Sequence, residues 1–77
     1  MFILTHDGRQ LLNVNNMDRL LVDVDERNNP CIMACANGGK AITYIIKQYS
    51  SFRDANAAMH NIAQQMARNE KVLYAPD

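Results

Sequence analysis

Short apolar runs separated by turn residues fill the chain up to Tyr49, and a helical period replaces them after Ser50. Phe2 to Thr5 is apolar and is closed by His6-Asp7-Gly8-Arg9, in which Asp-Gly supplies the positive-φ residue that a tight hairpin turn requires. A return strand is predicted over Gln10 to Val14, ending at Asn15-Asn16, a pair that favours a bend because both side chains can bond nearby backbone. From Arg19 to Asp25 the residues alternate, with Leu20, Val22 and Val24 on one side and Leu21, Asp23 and Asp25 on the other, the period of a half-buried strand. The polar loop Glu26-Arg27-Asn28-Asn29-Pro30 follows, and Pro30 removes a ladder donor at that point. A fourth strand is expected over Cys31 to Ala36. Asn37-Gly38-Gly39-Lys40 is a strong turn signal, so Ala41 to Tyr49, rich in β-branched residues, should pair back as the longest strand.

After Tyr49 the pattern changes. Ser51 can cap a first helical turn, and Asp54 three residues on can return the bond or favour the helix dipole. Phe52, Ala55, Met59, Ile62 and Met66 recur at intervals of three and four and are joined by Ala63 in one narrow arc, with Asp54, Asn61, Gln64 and Arg68 opposite. This predicts a helix over Phe52 to Arg68 that packs one stripe on a sheet. Asn69 is a suitable stop, and Lys71 to Tyr74 forms an edge strand or a docked tail before Pro76. The expected fold is α+β, one domain spanning residues 1–77: an antiparallel sheet of four or five strands in meander order, with one C-terminal amphipathic helix on one face.

Composition sharpens this picture by exclusion. Seventy-seven residues make one small core, and 48% apolar with 21% charged residues is the balance of a folded chain. Eight basic and eight acidic side chains cancel, so no global field draws the protein onto phosphate backbones or anionic membranes. Arg9, Arg19 and Arg27 nonetheless lie close in sequence and form a basic patch if the fold brings them together. Cys31 and Cys35 sit in one expected strand, where their Cα atoms stand about 13 Å apart, too far to bridge. Reduced thiols and a cytoplasmic setting are the expectation, as is the absence of a leader or a bilayer-spanning run.

Candidate chemistry dissolves on inspection. Gly38-Gly39-Lys40 lacks the upstream Gly and the following Ser or Thr of a phosphate loop, since Ala34 and Ala41 stand at those places. Asp23, Asp25 and Glu26 open like a calcium loop, but Arg27 and Pro30 interrupt the ligand series. His6 and His60 have no metal-binding spacing to each other or to the cysteines. Cysteines packed in apolar strands have raised pKa values and poor nucleophilicity. Met17, Met59 and Met66 read as core filling. No catalytic, cofactor or metal residues are assigned, and an enzyme is not expected.

The strand ending in Tyr49, the Ser50-Ser51-Phe52 entry to an Ala-rich helix with Ala55, Met59 and Ile62 inward, and the Thr5-His6-Asp7-Gly8 turn before Leu11-Leu12-Asn13-Val14 form a pattern. It resembles small phage- and prophage-encoded proteins of Gram-positive bacteria, over most of the chain up to Ala67. The resemblance implies several strands followed by one helix, and a regulator or inhibitor of a host protein. It carries no catalytic residues over to this chain. The functional expectation is therefore a non-enzymatic protein-interaction module, homodimeric or bound to another protein, using Leu21, Tyr44, Tyr49, Leu73 and Tyr74, because one helix cannot cover both faces of the sheet. The alternative is nucleic-acid binding through an open sheet face, with Tyr44 and Tyr49 stacking on bases and Arg9, Arg19 and Arg27 on phosphates.

Overall fold

Asp7 and Gly8 turn the chain for the reason their chemistry suggests. Gly8 takes φ +73°, and the Asp7 carboxylate accepts from the Thr5 hydroxyl at 2.6 Å and from the Arg9 amide at 3.0 Å. Across that loop β1 (Phe2–Leu4) and β2 (Leu11–Asn13) pair antiparallel. Asn13 Oδ1 then accepts from the Asn15 amide at 3.0 Å and starts one turn of 3-10 helix, Val14–Asn16, the bend expected of the asparagine pair. A computed structural model of the chain describes residues 1–36 and 42–77; the turn expected at Asn37-Gly38-Gly39-Lys40 lies outside the described residues.

Beyond the bend, β3 (Met17–Val24), β4 (Pro30–Ala36) and β5 (Thr43–Gln48) form a sheet in the order β3-β4-β5, antiparallel throughout. The loop between β3 and β4 is built on Asp25, whose carboxylate accepts from the amides of Arg27 at 2.8 Å and Asn29 at 2.9 Å, while Asn28 takes φ 63°. Ser51 Oγ accepts from the Asp54 amide at 3.1 Å and caps α1 (Phe52–Ala67). The Asp54 carboxylate turns to the Ser50 hydroxyl at 2.9 Å. Asn69 stops the helix as expected: at φ 57° it donates to Met66 O at 3.0 Å and Glu70 to Gln65 O at 3.3 Å, the paired bonds of a Schellman ending.

The chain then returns. β6 (Val72–Tyr74) lies parallel to β1, giving a second three-stranded sheet in the order β2-β1-β6. The α+β class and the helix position hold, but a single meander of four or five strands does not form. The 3-10 turn at Val14–Asn16 redirects the chain before β3, so β3 does not take the β2 edge that a meander would give it, and the C-terminal segment adds to the outer edge of β1 instead. The two sheets meet where the His6 amide donates to Ile46 O at 2.8 Å. Register explains why that carbonyl is available. Ile32 pairs with Lys47 and Met33 with Ile45, so Ile46 is the extra residue of a bulge in β5.

Ile3, Ile32, Ala34, Ile46, Ala58, Ile62 and Leu73 make the core, drawn from both sheets and the helix. The helix stripe is rotated from the expected arc. Ala55, Ala58, Ile62 and Gln65 are buried, Met59 and Met66 flank them, and Phe52 is 50% exposed. Gln65 accounts for the rotation: its Oε1 accepts from the Tyr74 amide at 2.9 Å, and its Nε2 donates to the Tyr74 carbonyl at 2.8 Å and to Asn61 Oδ1 at 2.7 Å. The side chain thus acts as one residue of a neighbouring strand and holds β6 against the helix.

Replacing Gln65 by Ala removes both partners of the Tyr74 backbone, and a cost of about 1–3 kcal/mol is expected in urea unfolding. Amide exchange should show β6 loosening before β3–β5.

Candidate functional site

The helix and the first sheet cover one face of β3-β4-β5. On that face Leu20 and Val22 of β3, with Tyr44 and Tyr49, pack against the core. The opposite face has a row in strict register, Leu21 beside Met33 beside Ile45, at the centre of the three strands. None of the three belongs to the core cluster; Leu21 and Met33 are half-buried and Ile45 is 45% exposed. Arg19, Cys35 and Thr43 form the next row on one side, and Asp23, Cys31 and Gln48 the row on the other. The site is therefore an apolar centre with polar rows of both charge signs about it.

The border of this face is fixed by hydrogen bonds. Gln48 Nε2 donates to Asp25, so the loop after β3 is tied to β5 across the sheet. Backbone bonds from Asn29 and Arg27, and side-chain bonds from Asn29 and Gln48, hold the Asp25 carboxyl below its ordinary range. Cys31, fully buried, points its thiol at Asp23 O at 3.5 Å; burial, then the charges of Asp25 and Asp23, push the thiol up, which makes it a poor nucleophile. Both cysteines are free thiols. At the other border the C-terminal residues lie along β5. Lys47 is buried on the core side of the bulge and pairs with Asp77, its ammonium 5.5 Å from the Tyr49 ring centre, and the Tyr49 hydroxyl donates to Pro76 O at 2.7 Å. Burial, then Asp77, raise the Tyr49 phenol.

The residues singled out from sequence fall in different places. Leu21 is on the uncovered face. Tyr44 and Tyr49 are half-buried against the core on the covered face, so they do not offer the stacking platform that base recognition needs. Leu73 is 0% exposed and belongs to the core, sealed by pairing between β6 and β1; Tyr74 beside it is 56% exposed. The three arginines do not converge. Arg9 sits on the β1–β2 loop, whose His6 docks on β5, whereas Arg19 lies in β3 at the opposite edge of the sheet and Arg27 beyond the far end of β3, about 16 Å of strand away. Met33 and Ile45 complete the apolar row and were missed; alternation about Ile32 and Ile46 contained the signal, but not which side the helix covers.

A groove of about 340 Å³ opens between α1 and the first half of β3, lined by Met17, Leu20, Met59 and Met66 and also by the charged residues Asp18 and Arg19. The methionines do fill the edge of the core, as their flexibility suits them to do, while leaving sulfur and methyl groups at the groove. Among the described residues no three of His, Cys, Asp and Glu gather as a metal-holding group, and no helix is long and apolar enough to cross a membrane. Comparison with known protein families, with curated proteins and with solved structures finds no match.

Asp25 gives a pH prediction whose sign follows from its lowered value. Its bonds to the loop are present above the ordinary carboxylate range and are lost as pH falls through the lowered value. Amide shifts of Arg27 and Asn29 should move together in acid, and Asp25→Ala should give the acid-like shifts at neutral pH.

Proposed function

We propose that this chain is a non-enzymatic protein-interaction module that receives its partner on the uncovered face of β3-β4-β5. The observation that carries this reading is the Leu21–Met33–Ile45 row, three large apolar side chains in register on a face that no element of the chain covers among the described residues. The row is flanked by Arg19 and Asp23, and by the loop carrying Asp25, Glu26 and Arg27. Charges of both signs around an apolar centre suit a protein surface with an apolar ridge and a mixed polar rim. They do not suit a polyanion, and the tyrosines assigned to stacking are engaged elsewhere. The likeness to small phage-encoded proteins extends the reading to a regulator or inhibitor of a host protein.

Ile45 is half exposed and outside the core, so Ile45→Lys tests the face without threatening the fold. The tagged protein, captured from its native host with and without nuclease, should retain a stoichiometric protein that the variant loses, with a cost of about 2 kcal/mol or more if Ile45 is a hot spot. An unchanged capture by Ile45→Lys, with circular dichroism showing a folded chain, defeats the reading.

A further inference from the structure

We propose that β3 pairs antiparallel with β3 of a second copy, about a two-fold axis at Leu21, joining two β3-β4-β5 sheets into one of six strands. The proposal deepens the interaction-module reading by naming one partner, but it uses an edge of the sheet rather than its face.

Among the described residues the two sheets have four edges, and three are closed or short. β6 is held by the Gln65 amide, β5 gives its Ile46 carbonyl to His6, and β2 is a strand of 3 residues. β3 is 8 residues long and pairs only with β4 among the described residues. Its free backbone groups follow from the register. Pro30 O accepts from the Tyr49 amide and the Ala36 amide donates to Ile42 O, so even-numbered residues of β4 turn their backbone to β5, and Cys31, Met33 and Cys35 turn theirs to β3. Their partners Asp23, Leu21 and Arg19 are thereby engaged, leaving the N–H and C=O of Leu20 and Val22 on the open edge.

That window is bounded at both ends. Asp18 is the extra residue of a bulge between Met17 and Arg19, and the Val24 amide is occupied by its neighbour's carboxylate, Asp23 Oδ1, at 2.8 Å. A second β3 using both free residues must place Leu20 opposite Val22 and Val22 opposite Leu20. In that register Leu21 meets Leu21 on the two-fold, and Arg19 meets Asp23 of the second copy, twice. These are non-hydrogen-bonded pairs, the closer kind, with Cβ atoms about 4.5–5.5 Å apart. Shifting by two residues in either direction sets Leu21 against Asp23 or Arg19. Charge complementarity thus selects one register. Arg19 and Asp23 are exposed, and neither is in an ion pair in the single chain among the described residues. The methionine-lined groove lies beside this edge, on the side where the side chains of Val22 and Val24 of the second copy would run.

A strand-edge interface of this length is at the small end of stable contacts, so sedimentation equilibrium is run from about 10 to 500 µM. Wild-type protein is expected to form dimers in that range. Arg19→Glu and Asp23→Arg each place like charges twice in the homodimer and should each weaken it on the order of tenfold or more. Mixing the two variants restores both opposite-charge pairs in a heterodimer, which should form at wild-type concentrations. A monomeric wild type at the highest concentration, or a mixture that stays as weak as its parts, overturns the proposal. Ile45→Lys should dimerise normally, so loss of partner capture and loss of self-association are read separately.

Discussion

The structure depends on the parallel pairing of β1 with β6, which joins the first strand of the chain to the last across everything between. A strand of 3 residues contributes little by its ladder alone. What secures it is Gln65, a buried polar side chain whose amide satisfies the Tyr74 backbone on the side that β1 does not. Buried amides of this kind are costly unless fully bonded and specific when they are. Gln65 uses three of its four bonding positions, two on Tyr74 and one on Asn61. Leu73 can then be sealed beside Ile3, and the core closes over both sheets. The final residues follow from the same docking: once β6 is placed, Pro76 and Asp77 fall beside Tyr49 and Lys47.

Local chemistry was legible wherever one or two residues decide the backbone. The Asp7-Gly8 loop, the asparagine bend, the Ser51 cap and the Asn69 stop are all set by side chains acting on their near neighbours, and all stand where the sequence puts them. Topology was not legible, because it is decided between distant segments. Nothing in Val72-Leu73-Tyr74 states that its partner is Phe2-Ile3-Leu4 rather than β5. A polar Gln on an Ala-rich helix reads as solvent-facing until the strand it serves is present. The bulge at Ile46 has the same character: it places Lys47 on the core side, where alternation alone would have put it on the outer face. Of the candidate site, Leu21 was legible and its neighbours Met33 and Ile45 were not, since a period of two identifies a face without saying which face is covered.

Edges and faces place different demands on this fold. Small sheets must protect their open edges against unwanted pairing, and among the described residues three of the four edges are protected by Gln65, by His6 or by brevity. β3 is instead narrowed by a bulge at Asp18 and by the Asp23 carboxylate on the Val24 amide. Under the proposed pairing, such narrowing would leave an edge that accepts one register and resists slippage, and resistance to slippage is what separates assembly from aggregation.

The proposed pairing at that edge would also change the uncovered face. In the two-fold register, Leu21 of one copy abuts Leu21 of the other, so two rows of Leu21–Met33–Ile45 run end to end across six strands. With strands about 4.8 Å apart, the apolar strip lengthens to about 24 Å. A row of three side chains is small for a protein interface, whereas six in line, bordered by two Arg19–Asp23 pairs, approach the central patch of an interface of ordinary size. The ion pairs that fix the register would also remove the free charges nearest the strip and leave its middle apolar. Self-association and partner binding would then be linked under the proposal: a partner spanning both halves would bind the dimer more tightly than the single chain, and by reciprocity would favour the dimer by the same factor.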